Sequence, residues 1–238
     1  MPVNTTSKRK SQPCSTTNGS EQLCDRIVEL LQKDQARFEQ WLLTNPVDPF
    51  RGAPLKRKNL NEPFPKGVSQ RKLDAFAKAN GIVLSDSLQK WLQITNGAAG
   101  FFGVSIRKKL YDIKSALQEF PKWRKRNWIP VAYDVFGNYY VQPNSEAVCF
   151  VESLHTDEDT VNYVIASDML QFALHRLEED FGIHAAWRQK QLRRRSLSAR
   201  ERKALQHPCP WPFHKKYTLE LDPALKSIRE FPLPWKSK

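Results

Sequence analysis

The sequence has no apolar run approaching the roughly 18 residues of a transmembrane helix. Its first ten residues, Met1-Pro-Val-Asn-Thr-Thr-Ser-Lys-Arg-Lys, lack the apolar segment of a secretion signal. A cytoplasmic location without a membrane partner is therefore expected. Cysteine is sparse and scattered: Cys14, Cys24, Cys149 and Cys209 form neither a CxxC pair nor a disulfide framework. The glycines between Gly97 and Gly103 do not make a phosphate loop, because no Gly-Lys-Ser/Thr follows them and the order strand, glycines, helix is absent. No nucleophile-elbow pattern or zincin helix is present either. Ser153 with His155, or Asp134 with Asp157, come nearest to a hydrolytic pair, and neither stands in a recognisable catalytic motif. His207, Cys209 and His214 offer three zinc-type ligands, but Pro208 and Pro210 constrain the backbone between them and no second ligand pair accompanies them. No catalytic residue, metal or cofactor is expected.

What is present is charge, unevenly placed. The 238 residues carry a net charge of +13. Divided by region, residues 1–60 hold +4, residues 61–183 hold −1 and residues 184–238 hold +10. The basicity belongs to the flanks of a neutral centre, which argues against reading the whole chain as a nucleic-acid binder.

That centre is organised around Trp128-Ile-Pro-Val-Ala-Tyr-Asp-Val-Phe-Gly-Asn-Tyr-Tyr-Val141, two apolar runs separated by an Asp-containing turn that ends in Gly137-Asn138. β-Branched and aromatic residues on either side of polar and glycine breakers predict strand, tight turn, strand. Pro130 cannot donate to a ladder, so the first run is expected at an edge or to be very short. After Pro143-Asn144-Ser145, Ala147 to Glu152 predicts a third strand, and Asn162 to Ala166 a last short one.

Upstream, residues 1–20 have almost nothing to bury and are expected to be disordered. Leu23, Ile27, Leu30, Leu31, Phe38, Trp41 and Leu42 recur at helical steps and predict a helix over 21–43, stopped by Asn45-Pro46. Residues 46–67, with five prolines and Lys56-Arg57-Lys58, read as a connector. Ser69 is placed to cap a helix that stops at Asn80-Gly81, and a second helix from Asp86 ends at Asn96-Gly97. Ala98 to Ile106 predicts a first strand, residues 110–121 a helix, and Ser167 caps a helix with Leu170, Phe172, Ala173, Leu174 and Leu177 on its apolar side, ending in solvent at Glu178-Glu179-Asp180. This order predicts an α+β fold: a small antiparallel sheet with helices on one face, closed by these pieces alone. Residues 184–238 form a basic extension in which Ser198 and Glu201 have capping-box spacing, Pro208 to Pro212 break any helix, and Tyr217, Leu219, Leu221, Ile228, Phe231 and Trp235 suffice for docking on a partner or, the preferred reading, on the core, but not for independent folding.

The succession Leu88-Gln-Lys-Trp-Leu-Gln-Ile-Thr-Asn-Gly97, then Trp128 to Val141, then Ala147 to Phe150, then Ile165-Ala-Ser167 opening a helix, resembles the SUKH superfamily, the SMI/KNR-type domain named for a yeast cell-wall assembly regulator. The likeness covers residues 66 to 180. It implies an α+β domain without enzymatic activity that binds another protein, either a cognate toxin neutralised by an immunity protein or the partner of a signalling scaffold. The family's recurring positions fall on Trp91, Asn96, Gly97, Ile129, Pro130, Asp134, Gly137, Asn138 and Tyr140, chiefly structural ones. Two departures bear on the immunity role: the domain is neutral rather than acidic, and long flanks exceed the minimal domain.

Two kinds of site follow. Asp134, Asn138, Asp157, Glu158 and Asp159, in two loops, are candidates for contact with a protein partner. Arg124, Lys125 and Arg126, beside Lys122, Trp123 and Trp128, and Arg193, Arg194 and Arg195 are candidates for phosphate contact, should nucleic acid be the partner instead.

Overall fold

The computed structural model describes residues 17–45, 47, 63–98, 109–134, 136–152, 160–194 and 197–236. Eight α-helices and five strands are found among them: α1 (Thr17–Thr44), α2 (Gln70–Asn80), α3 (Asp86–Ile94), β1 (Lys109–Leu110), α4 (Ile113–Glu119), β2 (Ile129–Tyr133), β3 (Tyr139–Gln142), β4 (Val148–Val151), β5 (Tyr163–Ala166), α5 (Met169–Asp180), α6 (Ile183–Leu192), α7 (Ala199–Ala204) and α8 (Lys215–Leu221). The strands form one antiparallel sheet in the order β1-β2-β3-β4-β5.

Alternation along the strands sorts their side chains onto two faces. Tyr140, Val148, Phe150 and Ile165 join one apolar cluster with Ile27, Leu30 and Leu31 of α1, Leu88, Trp91 and Leu92 of α3, and Met169, Phe172 and Leu177 of α5. Val141, Cys149, Val151 and Val164 point the other way, into a second cluster with Trp123 and Leu225. All four residues of β4 are buried, the mark of a strand covered on both sides.

The cover on that second face corrects the expectation of a one-sided sheet. It comes from the C-terminal extension: Leu219, Ile228, Phe231 and Trp235 pack on the second cluster, while Trp211 and Tyr217 enter the first. Polar contacts to β5 and to the start of α5 fasten the extension. The amide of Val164 in β5 donates to the carbonyl of Pro232 at 2.8 Å, and that of Ser167 to a carboxylate oxygen of Asp222 at 2.7 Å. The sheet's core is therefore not closed by residues 66–183 alone.

Local differences have local causes. Pro130 is buried inside a strand with neighbours on both sides, not at an edge. It is accommodated because β1 pairs only Lys109 with Tyr133 and Leu110 with Ala132, so Pro130 lies beyond the end of β1, and the register with β3 shifts between Pro130 and Ala132. The strand expected from Ala98 falls mostly outside the described residues; Ala98 itself bridges to Leu110, within the stretch expected to be helical, and α4 starts only at Ile113. The N-cap of α5 is Asp168, whose carboxylate accepts from the Gln171 amide at 2.8 Å, not Ser167. Ser69 occupies the N-cap of α2 without a side-chain bond. The stop at Gly81 is left-handed as expected, φ 62°, and the capping box of Ser198 and Glu201 opens α7. The helix α3 stops at Thr95 rather than at Asn96-Gly97, and the Asn96 side chain accepts from the Ile113 amide at 3.1 Å. Gly97 has φ 85°, and a Cβ there would lie 2.6 Å from the Asp112 amide nitrogen. Residues 48–62 of the connector, with Lys56-Arg57-Lys58, and residues 1–16 lie outside the described residues; α1 starts at Thr17, inside the stretch 1–20 expected to be disordered.

Candidate functional site

In an up-and-down meander, the turn after β2 and the connection after β4 leave the same end of the sheet. The β2–β3 turn there is built around Asp134. One carboxylate oxygen of Asp134 accepts from the amides of Phe136 (2.9 Å) and Asn138 (3.0 Å), and the other accepts from the Asn138 side-chain amide (3.1 Å). The main chain closes the loop: Asp134 N donates to Asn138 O at 3.0 Å and Gly137 N to Asp134 O at 3.1 Å. Gly137, at φ 81°, supplies the left-handed residue that the reversal requires.

Asp134 is thus turned inward, 7 % exposed, its oxygens occupied by the turn. The turn instead displays Phe136, 79 % exposed, next to Tyr133, 37 % exposed. Tyr133 stacks on Tyr111, ring centroids 5.5 Å apart at 25°. Aromatic packing continues across the first face at this end: Phe172, Tyr140, Phe150 and Tyr163 follow each other in ring contact, and Tyr163 meets Phe213, 38 % exposed. Burial pushes the Tyr163 hydroxyl pKa up, with the Glu152 and Asp134 carboxylates adding to it, so the phenol stays neutral. Asp157, Glu158 and Asp159 lie outside the described residues, as do Ser153 and His155.

The basic candidates are divided. The ammonium of Lys122 donates to Tyr139 Oη and to Glu119 Oε2, each at 2.9 Å, and these two bonds raise its pKa. Trp123 and Trp128 stack on each other, ring centroids 6.1 Å apart, and the Arg126 guanidinium lies beside the pair, 5.3 and 5.4 Å from their centroids; Trp123 is fully buried. Arg124 is exposed; the Lys125 side chain lies outside the described residues. Arg193 and Arg194 are exposed past the end of α6, and Arg195 is outside the described residues. The Glu201 carboxyl is held below its usual range first by Ser198, with the positive charges of Arg194 and Lys216 lowering it further. The two basic stretches sit on different parts of the fold.

The ligand-type residues assort differently from expectation. His207 accepts from the Cys209 amide at 3.2 Å, the Cys209 thiol donates to the Trp211 carbonyl at 3.1 Å, and His214 caps α8 by accepting from the Tyr217 amide at 3.2 Å. Among the described residues, the group that does come together is His175, Glu178 and His184. Only the His175-x-x-Glu178 pair, one turn apart on one helix, leaves a trace in the spacing; Glu178, expected in solvent, is only 13 % exposed.

The residues on which the sequence likeness rests hold the frame. Trp91, Ile129, Pro130 and Tyr140 are buried, and Asn96, Gly97 and Gly137 shape the two turns already described. Residues 67–174 match the model of the SMI1 / KNR4 family (SUKH-1). No curated protein matches the chain. The SMI1 / KNR4 match takes in all five strands, α2 to α4 and the first half of α5, less than half of the chain. The long α1 and everything from His175 onward fall outside it, including Trp211 of the first cluster and Leu219, Leu225, Ile228, Phe231 and Trp235 on the second face of the sheet.

Proposed function

We propose that this chain is a non-enzymatic, cytoplasmic protein-binding module of SMI1 / KNR4 type that grips its partner at the sheet end carrying the β2–β3 turn. The observation behind this reading is Phe136: a large apolar side chain, 79 % exposed, at the tip of a turn fixed by three bonds to one carboxylate. Rigid aromatic anchors lose little entropy on binding and dominate interface energies, at roughly 2 kcal/mol or more for truncation to alanine. The match over residues 67–174 supports the same reading. Its finer form is an immunity protein that neutralises a cognate toxin, or a regulatory scaffold.

The test is affinity capture with the tagged full-length chain and with Phe136→Ala. A polypeptide that binds the wild type and binds Phe136→Ala at least about thirtyfold more weakly, with the melting temperature unchanged, supports the reading. Equal binding by Phe136→Ala and Tyr133→Ala refutes it. If the captured protein is toxic alone and harmless when this chain is co-expressed, the role is immunity; a harmless partner indicates a scaffold.

Nucleic-acid binding is the second reading, favoured by the net charge of +10 over residues 184–238, where Arg193 and Arg194 are exposed past the end of α6. It requires salt-dependent retention on DNA or RNA that Arg193→Glu with Arg194→Glu abolishes; no retention at about 50 mM salt rejects it.

A further inference from the structure

His175 on α5 is 1 % exposed, and neither of its ring nitrogens has a hydrogen-bond partner. Facing Nδ1 at 3.5 Å is Oε2 of Glu178, one helical turn further on. The helix ends at Asp180, and the chain reverses through Gly182, φ 70°, so that α6 carries His184 back over His175, ring centroids 5.9 Å apart. One ligand-type atom from each of the three residues lies within 4.8 Å of the other two.

His184 is already poised as a ligand. It is fully buried, with Nε2 at 3.0 Å from the His175 carbonyl and Nδ1 at 2.8 Å from the Tyr217 hydroxyl. A carbonyl only accepts, so Nε2 carries the proton and Nδ1 presents its lone pair. A ring N–H anchored on a backbone carbonyl is the arrangement that orients metal-bound histidines; here the lone pair of Nδ1 accepts from the Tyr217 hydroxyl, which a metal would displace. The surrounding charge leaves room for a cation: Arg26 Nε lies 4.0 Å from Oε1 of Glu178, not the oxygen facing His175, and Arg176 pairs with Glu179.

We propose that His175, Glu178 and His184 form a binding site for a divalent transition metal of the zinc class, with water or the Tyr217 hydroxyl as fourth ligand. Two imidazoles and one carboxylate suit zinc and not calcium or magnesium, which need oxygen ligands. Metal–nitrogen bonds of about 2.0–2.1 Å set ligand edges near 3.3 Å in a tetrahedron, close to the 3.5 Å between His175 and Glu178. The hydroxyl of Tyr217 gives up Nδ1 of His184 to the metal. The ion would join α5 to α6 where the chain leaves the family-matched region, and so brace the C-terminal segment.

The test uses the full-length chain, stripped with a chelator and titrated with zinc chloride by calorimetry and with cobalt chloride by visible absorption. One equivalent of zinc is expected to bind, cobalt to give the ligand-field bands of a low-coordinate site, and His175→Gln and Glu178→Gln each to weaken zinc at least about tenfold. Glu178→Gln, at the more exposed position, decides the matter if His175→Gln does not fold. Absence of stoichiometric zinc binding, which leaves a simple His175–Glu178 ion pair, overturns the proposal. Unchanged affinity in the folded variants, which places the ion on other histidines or cysteines, also overturns it.

Discussion

Replacing Asp134 with alanine separates the turn's architecture from its display. The substitution removes a charged acceptor from two backbone amides and one side-chain amide, all within 3.1 Å. Hydrogen bonds to charged groups contribute about 1.5–3 kcal/mol each, but the three share one carboxylate and water reaches the open side of the turn, so their sum overstates the loss. We expect Asp134→Ala to cost about 2–3 kcal/mol. For a chain of this size, that lowers the melting temperature by roughly 4–12 °C. Asp134→Asn keeps one oxygen for both backbone donors and should recover most of the loss. Phe136→Ala, at a side chain mostly in water, should change stability by less than about 0.5 kcal/mol. Thermal and urea unfolding followed by circular dichroism measure all three. Asp134→Ala within about 0.5 kcal/mol of wild type would refute the argument that its carboxylate holds the turn.

Other substitutions test the frame. Gly97→Ala combines φ 85° with a Cβ only 2.6 Å from a backbone nitrogen and should cost more than about 3 kcal/mol in urea unfolding, whereas Gly81→Ala, φ 62° with open space around it, should cost only about 1–2 kcal/mol. Trp211, 1 % exposed and in ring contact with Phe172, His175 and His184, lies outside the family-matched region; Trp211→Ala should nevertheless cost about 3–5 kcal/mol by the same measurement, and a loss below about 1 kcal/mol would show that its segment is not part of the core.

Much of the fold is legible because its signals are local. Alternation in Tyr139 to Val151, the Asn-Gly and Asp-Val-Phe-Gly-Asn turns and the helical steps of Leu88, Trp91 and Leu92 each fix a structure without reference to distant residues. What the sequence does not disclose is nonlocal. That Pro130 can sit in an internal strand depends on where β1 happens to end. That Val151 and Val164 face protein rather than water depends on a segment about 60 residues later, whose prolines hide any periodicity. The site divides in the same way. Asp134 and Asn138 could be assigned to a turn, since their spacing carries the Asx-type bonding, but which of the five turn residues faces outward depends on the direction of the carboxylate. His184 reaches His175 only because Gly182 reverses the chain, and proximity of that kind leaves little trace in spacing.

The central claim is that the sheet is buried on both faces and that the C-terminal segment belongs to the same folding unit as the family-matched domain. Native-state hydrogen exchange tests it most directly at the amide of Val164, on the outer strand, which is bonded to the Pro232 carbonyl at 2.8 Å. Protection of Val164 comparable to that of Tyr140 and Phe150, exchanging only with global unfolding, is the expected result. Fast exchange at Val164 and throughout residues 205–235, with β3 and β4 still protected, would contradict it.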